Sequence, residues 1–352
     1  LYDSAIETYQ YAIDNNGNKE FVYYQLGNLY KKMGDIDKAI EYFQKVLDAN
    51  DENPYANGEL AELYEKKQDE DKVLHYINEQ LQVNPSDYHH IKRGLIYARR
   101  GMMKEAKADY DNAIEINPEN FYAYNNIGYL YQERGDFETA IKYYKESISN
   151  IGGAVFLLAY NNIADSYVYL KDYEMALNYL NEGLKKMPNH QSFLYNKGKV
   201  LRSMHRYNEG LEAFKKGCSM YDADKDEYYS EIALTYLWMK DDRKAIKWYK
   251  KSLMINNRNH NAICSIGDIY KRKKRYRRAK KYYLKLYEIG EDMFYYIYSG
   301  DLYKEMNKLD KAKKCYEIAI EKCNDEDIKE AKKFSEIGYC YRQLGNIDEA
   351  LK

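Results

Sequence analysis

Six histidines, His75, His89, His90, His190, His205 and His260, are scattered along the chain. No HExxH pair, nucleophile elbow or glycine-rich phosphate loop accompanies them. His89 and His90 are adjacent, and adjacent residues on a helix point to different faces, so they make a poor metal pair. The five cysteines, Cys218, Cys264, Cys315, Cys323 and Cys340, are odd in number and lack CxxC spacing. Cys315 and Cys323 lie about two helical turns apart, too far along one helix for an easy bridge. They read as free thiols of a reducing, cytoplasmic compartment. Carboxylates are plentiful, but each pair is explained by an exposed helix face. The chain is therefore read as a non-enzyme with no metal site and no cofactor.

Binding chemistry is more visible. Asn126, Asn162 and Asn196 recur at near-constant spacing, and Asn125 and Asn161 precede two of them. An amide carries both a donor and an acceptor, so a row of amides can clamp an extended peptide backbone without reading its side chains. Lys199 and Arg202 stand nearby in sequence and could take an acidic side chain or a C-terminal carboxylate. A second candidate is the run KRKKRYRRAKK at 271–281, with Lys or Arg at nine of eleven positions. Its residues Lys271, Arg272, Lys273, Lys274, Arg275, Arg277 and Arg278 form a patch for an anionic partner, and Tyr276 could stack on a base. Global charge argues against nucleic acid, since 55 basic and 56 acidic side chains leave a net charge of -1. Glu59, Glu62 and Glu65 also make another segment acidic. No apolar run approaches a membrane span, and no signal peptide is visible.

The elements that must carry these residues announce themselves by repetition. A small residue is followed four places on by a bulky one in a series with a period of about 34, as in Ala39/Phe43, Ala106/Tyr110, Ala140/Tyr144 and Ala279/Tyr283. Twelve residues ahead of the small residue, Gly or Ala precedes an aromatic by three places, as in Gly27/Tyr30, Ala61/Tyr64, Gly128/Tyr131 and Gly267/Tyr270. Side chains at i and i+3 or i+4 share a helical face, so each phrase is a gap-and-knob pair on one helix. A turn residue lies between the phrases, glycine at Gly34, Gly101, Gly135 and Gly345, where a left-handed helix end costs glycine nothing. Prolines at Pro85, Pro118 and Pro188 punctuate the joints between repeats. A fixed period of this length predicts stacked helical hairpins that cannot bury their apolar faces alone.

The phrases resemble the tetratricopeptide repeat, with the small residue at the eighth place, Tyr at the eleventh, Ala at the twentieth and an aromatic at the twenty-fourth. Nine complete repeats start near Glu20, Pro54, Asp87, Phe121, Leu157, Gln191, Asp226, His260 and Met293, with a partial repeat at each end. The resemblance implies an all-α, right-handed α-solenoid (superhelix) of antiparallel helix hairpins with first helices lining a concave groove. It departs from the pattern in LQVNPSDYHHIKRG and CSMYDADKDEYY. Helical periodicity turns the second, fifth, sixth, ninth, twelfth and thirteenth places of each first helix away from the stacking seam. Asn126, Asn162 and Asn196 all fall at the sixth place, which resembles the asparagine ladder of peptide-binding tetratricopeptide superhelices. A protein or peptide partner is the expectation. The alternative is a substrate-recruiting or regulatory arm of a larger enzyme whose catalytic domain lies outside this chain.

A single solenoid over 1–352 is expected. The spacing from Phe121 to Leu157 exceeds the common period, which marks 150–156 as a candidate hinge or a longer loop. The final repeat, 331–352, is truncated. A chain that begins at Leu1 and stops inside a repeat reads as a piece of a longer protein. Its broken ends, around Tyr2, Ile6 and Tyr9 and around Phe334, Ile337 and Tyr341, would expose stacking surface and drive weak end-to-end association.

Overall fold

The structure, a computed structural model, describes residues 2–15, 17–149, 157–220, 225–325 and 330–345. Among them are twenty helices and no strand. The chain forms two compact bodies, Leu1–Tyr179 and Leu180–Lys352. The N-terminal body opens with α1 (Tyr2–Asp14) and continues as the hairpins α2 (Lys19–Met33) with α3 (Ile36–Ala49) and α4 (Ala56–Lys66) with α5 (Glu70–Val83). It proceeds through α6 (Asp87–Arg99) with α7 (Met103–Ile116), α8 (Phe121–Glu133) with α9 (Phe137–Ser149), and α10 (Leu157–Tyr169). The next helix, α11 (Tyr173–Lys186), carries the chain into the C-terminal body. There α12 (Gln191–Ser203) pairs with α13 (Tyr207–Met220), and α14 (Lys225–Trp238) with α15 (Asp242–Ile255). The hairpins α16 (His260–Arg272) with α17 (Tyr276–Glu288) and α18 (Asp292–Glu305) with α19 (Leu309–Asp325) follow, then α20 (Glu330–Leu344). Every expected repeat start falls within two residues of a first-helix start. The fold is an α-solenoid of antiparallel hairpins. The candidate hinge at 150–156 and the side chains of Cys323 and Phe334 lie outside the described residues.

Each hairpin turns in the same way. The first or second residue past the first helix adopts the left-handed conformation at Gly34 (φ 83°), Gly101 (75°), Gly135 (79°) and Gly345 (80°), the four glycines the sequence marks. Six other turns do the same without glycine: Gln68 (59°), Lys171 (61°), His205 (59°), Lys240 (60°), Lys274 (56°) and Asn307 (56°). What they share is the Schellman bond. The amide after the left-handed residue donates back to the eleventh-place carbonyl, as in Asp69 to Tyr64 at 3.1 Å, Asp241 to Tyr236 at 2.9 Å and Arg275 to Tyr270 at 2.8 Å. That same Asp then caps the second helix, with Asp35, Asp69 and Asp241 accepting from Lys38, Lys72 and Lys244 backbone amides.

Packing inside a hairpin explains the many tyrosines. A Cβ built on Gly27, Gly94, Gly128, Gly198, Gly267 or Gly300 would lie closer than 3.0 Å to a ring of the second helix, respectively Phe43, Tyr110, Tyr144, Phe214, Tyr283 and Tyr316. The eighth-place glycine therefore admits a ring rather than a backbone. In the double tyrosines the second ring fills this gap and the first stacks outside it. Tyr143 lies parallel to Tyr131 at 5.5 Å and Tyr282 to Tyr270 at 5.8 Å, and the same pairing joins Tyr42 to Tyr30 at 5.4 Å. Cations cover the stack, with Lys38 over Tyr30, Lys72 over Tyr64 and Arg278 over Tyr270.

Three joints between successive hairpins are clipped by a two-asparagine device. The acidic residue at the start of a first helix accepts from both asparagines of the following inter-repeat loop: Glu20 from Asn50 and Asn53, Asp87 from Asn117 and Asn120, and Asp226 from Asn256 and Asn259. The second asparagine of each clip also caps the next first helix, accepting from Ala56, Ala123 or Ala262. Ile6 and Tyr9 pack on the N-terminal core, leaving Tyr2 48% exposed, and Ile337 packs on the C-terminal core.

Candidate groove site

Successive first helices meet at their twelfth and sixth places. Lys31 on α2 bonds Glu59 and Glu62 on α4, and Lys92 on α6 bonds Glu65 on α4 at 2.7 Å. In the C-terminal body Arg202 on α12 bonds Glu231 on α14. Burial pulls the Lys31 ammonium down, but its bonds to Glu59 and Glu62 outweigh that and hold it above its ordinary value. These sixth-place charges are consumed within the protein.

The asparagine repeats break the pattern. The twelfth-place residues preceding Asn126 and Asn162 are the uncharged Ala98 and Gln132. Gln132 is engaged elsewhere, its Oε1 accepting from the Tyr144 hydroxyl at 3.0 Å and from Ser166 Oγ at 3.2 Å. Asn126 is half-buried, and its amide makes no hydrogen bond among the described residues. Asn162 donates through Nδ2 to Oδ1 of Asn125 at 3.1 Å, and Asn125 is buried. Asn161 donates to the Leu157 carbonyl of its own helix at 3.1 Å. The structure thus places Asn126 and Asn162 on neighbouring first helices, with Asn125 as a strut between them. Asn196 stands half-buried on α12, in the other body. Beside it Lys199 is exposed, its Nζ 5.6 Å from the Tyr195 ring centroid. Arg202, expected to meet an acidic ligand, is instead buried against Glu231 and the Phe214 ring. A guanidinium so paired cannot leave its partner without stranding a charge.

The basic run spans the end of α16, the turn and the start of α17. About half of it is committed. Lys271 pairs with Asp268 at 3.1 Å, Asp242 takes Arg272 and Lys273, and Arg278 covers Tyr270. Lys274, Arg275 and Arg277 are exposed and without an ion pair among the described residues.

Two clusters have the connectivity of active sites without the properties. His90 and Arg93 both bond the buried Asp109, and Arg93 also reaches Asn78 at 2.7 Å, a core network that accounts for the aberrant LQVNPSDYHHIKRG segment. His260 contacts Glu291 through Nδ1 and Cys264 Sγ through Nε2, the latter at 3.4 Å. Burial pushes the Cys264 thiol up to about 12, which disfavours the thiolate a nucleophile needs.

One feature was hidden in the sequence. The second places of five consecutive repeats, Phe21, Tyr55 (just before α4), Tyr88, Tyr122 and Leu158, are all aromatic or aliphatic and 49–62% exposed. In the C-terminal body the same place is Ser192, Glu227 and Asn261, then a buried Phe294. Tyrosine abundance masked this row, because most rings at other places are core. Counting by place within the repeat recovers it.

Family models described as tetratricopeptide repeat match residues 21–53, 121–189, 226–259, 260–292 and 295–321, and one described as TPR repeat matches 94–135. A type IV pilus assembly protein, PilF of Pseudomonas aeruginosa, is 22% identical over 194 residues, covering 55% of this chain. The match spans 63% of that relative's length. Among solved structures, the C-terminal part of a TPR repeat-containing protein from Cytophaga hutchinsonii superposes with a TM-score of 0.54 at 20% identity, covering 69% of this chain and 99% of that one. A tetratricopeptide repeat protein from Parabacteroides merdae gives 0.53 at 16% identity, covering 76% and 99%. Both likenesses concern the fold.

Proposed function

Because the chain belongs to the tetratricopeptide repeat proteins, we propose that it is a protein-interaction scaffold whose first-helix groove holds an extended segment of a partner. One observation carries the reading. Where the sixth place is charged, the preceding repeat ties it down, whereas Asn126 keeps its donor and acceptor uncommitted and Asn162 retains its carbonyl alongside. Half-buried amides of this kind suit the repeating N–H and C=O groups of a peptide backbone and make little demand on its sequence. Lys199, exposed beside the Tyr195 ring, offers its cation to an acidic side chain or carboxylate on the C-terminal body. The test is capture on an array of random-sequence peptides by the chain and by its Asn126→Ala, Asn162→Ala variant. Each lost backbone bond should weaken capture by about 1 kcal/mol, while helicity stays the same. Equal capture by both proteins refutes the groove assignment.

A further inference from the structure

The exposed face of the second helices α15 and α17 combines unpaired cations with protruding apolar groups, and we propose that it docks the protein peripherally on an anionic lipid bilayer. The inference goes beyond the groove reading and does not depend on it. Spaced as i, i+4, i+7 and i+11, Arg243, Lys247, Lys250 and Met254 form one stripe on α15. The corresponding places on α17 are Arg277, Lys281, Leu284 and Glu288. All are exposed, and none of these cations has a carboxylate partner among the described residues. The basic stripe is not a default of the repeat. The same four places read Asp37, Glu41, Gln44 and Asp48 on α3, and three of the four are carboxylates on α19.

Contacts at both ends hold the two helices side by side and pointing the same way. At their starts Asp242, the first residue of α15, takes Arg272 and Lys273 from the turn that leads into α17. At their ends Arg258 Nη2, just past α15, donates to the Ile289 carbonyl, just past α17, at 3.0 Å. The stripes therefore form one face, with cations along it and apolar groups gathered at one end. There Met254 is 84% exposed, and Ile255, Leu284 and Tyr287 are exposed as well. Asp242 is neutralised by its two cations and Asp241 by Lys244, which leaves Glu288 as the one carboxylate on the stripes. An anionic bilayer matches both parts. Its headgroups attract the cations, each Lys or Arg strengthening binding by about fivefold. Its acyl boundary accepts Met254, Ile255 and Leu284, and the long lysine stems lie along that apolar surface with their ammoniums at the phosphates. Tyr287, apolar in its body and polar at its tip, suits the same boundary. A nucleic acid would use the charge but not the aliphatic end. Bases stack on rings, and the Trp248 ring of α15 is already covered by Lys251 at 4.1 Å.

The experiment is cosedimentation of the full chain with vesicles of phosphatidylcholine alone and with vesicles in which one third of the lipid is phosphatidylserine. Binding is expected to the anionic vesicles only, and to weaken at high salt, because exposed charges are screened. It should fall roughly tenfold or more in Lys247→Gln, Lys281→Gln, the product of two cation losses. Met254→Ser should weaken it severalfold by removing apolar contact with the boundary. Binding should be unchanged in Lys104→Gln, Lys186→Gln, which removes the same charge from exposed lysines elsewhere. Circular dichroism checks the fold, and Arg243→Gln, Arg277→Gln provides a second probe of the stripes. No binding to anionic vesicles, equal binding to both kinds, or equal losses in the stripe and control pairs overturns the proposal. Anionic binding indifferent to Met254→Ser overturns it too. So does a random-sequence oligonucleotide that binds more tightly than the vesicles and is lost in Lys247→Gln, Lys281→Gln, since the face would then belong to nucleic acid.

Discussion

Six hairpin turns force a residue with a side chain into the left-handed region, and that strain is open to measurement. Lys240 (φ 60°) and Lys274 (φ 56°) are the cleanest sites, since both are exposed and neither makes an ion pair among the described residues. The left-handed conformation costs an L-residue roughly 1–2 kcal/mol. Glycine removes that cost but adds about 0.4–1 kcal/mol of unfolded-state entropy. Each Lys→Gly change should therefore stabilise by about 0.5–1 kcal/mol. The two turns belong to separate hairpins, so the double variant should gain about 1–2 kcal/mol. Urea unfolding followed by far-ultraviolet circular dichroism would read this as a later transition in the C-terminal body. The mirror change, Gly135→Lys (φ 79°), should lose a similar amount in the N-terminal body. A double variant that unfolds earlier than the parent, or a Gly135→Lys variant that unfolds no earlier, would refute the assignment of strain to these turns.

A methyl group at Gly267 has nowhere to go but into the Tyr283 ring, so Gly267→Ala should destabilise by ~1–3 kcal/mol in thermal melts. Adding Tyr283→Leu should recover part of that loss, which a double-mutant cycle would register as non-additivity. Acid should loosen the clipped joints. The hydrogen bonds from Asn53 and Asn50 hold the Glu20 carboxyl below its ordinary value, and at Asp87 burial pushes up but the bonds from Asn117 and Asn120 win. A depressed folded-state value means the stabilisation is present above the unfolded values near 4.5 and 3.8 and is lost as pH falls through the lower folded ones. Melting temperature between pH 7 and pH 3 should accordingly drop less in Glu20→Gln, Asp87→Asn than in the parent, and an equal drop would count against the clips.

The hairpin architecture was legible because period, gap and knob all repeat, and repetition survives the loss of any one residue. Gly34, Gly101, Gly135 and Gly345 declared their turns; Gln68, Lys171 and Lys240 did not, because their left-handed geometry is imposed by backbone bonds to the eleventh-place carbonyl rather than by residue type. The site was read less completely. Asn126 and Asn162 came from place within the repeat, and the structure sets them on neighbouring helices. Arg202 looked available because sequence spacing along one helix does not show that Glu231, on the next first helix, reaches back to it. Asn125 likewise became a strut only once the adjoining helix brought Asn162 within reach. The second-place row was hidden by composition.

The asparagine clips divide labour between two faces of the molecule. At the joints after Glu20, Asp87 and Asp226, alignment of one hairpin on the next is enforced at the loop, by groups that take no part in the groove. First-helix side chains are then relieved of that task at the Asp87 joint, whereas at the Glu20 joint Lys31 still bonds Glu59 and Glu62. The two-hairpin block α4 to α7, between the Asn50–Asn53 and Asn117–Asn120 clips, becomes an interchangeable cassette: its duplication or deletion would preserve alignment while changing the first-helix side chains on display. The Gln80 bonds to the Pro54 carbonyl and the Gly58 amide differ in kind: they tie α5 to α4 within one hairpin and do nothing for the alignment of that hairpin on the next. Recombination along this chain should therefore be tolerated unevenly, with its breakpoints gathered where an acid faces two asparagines.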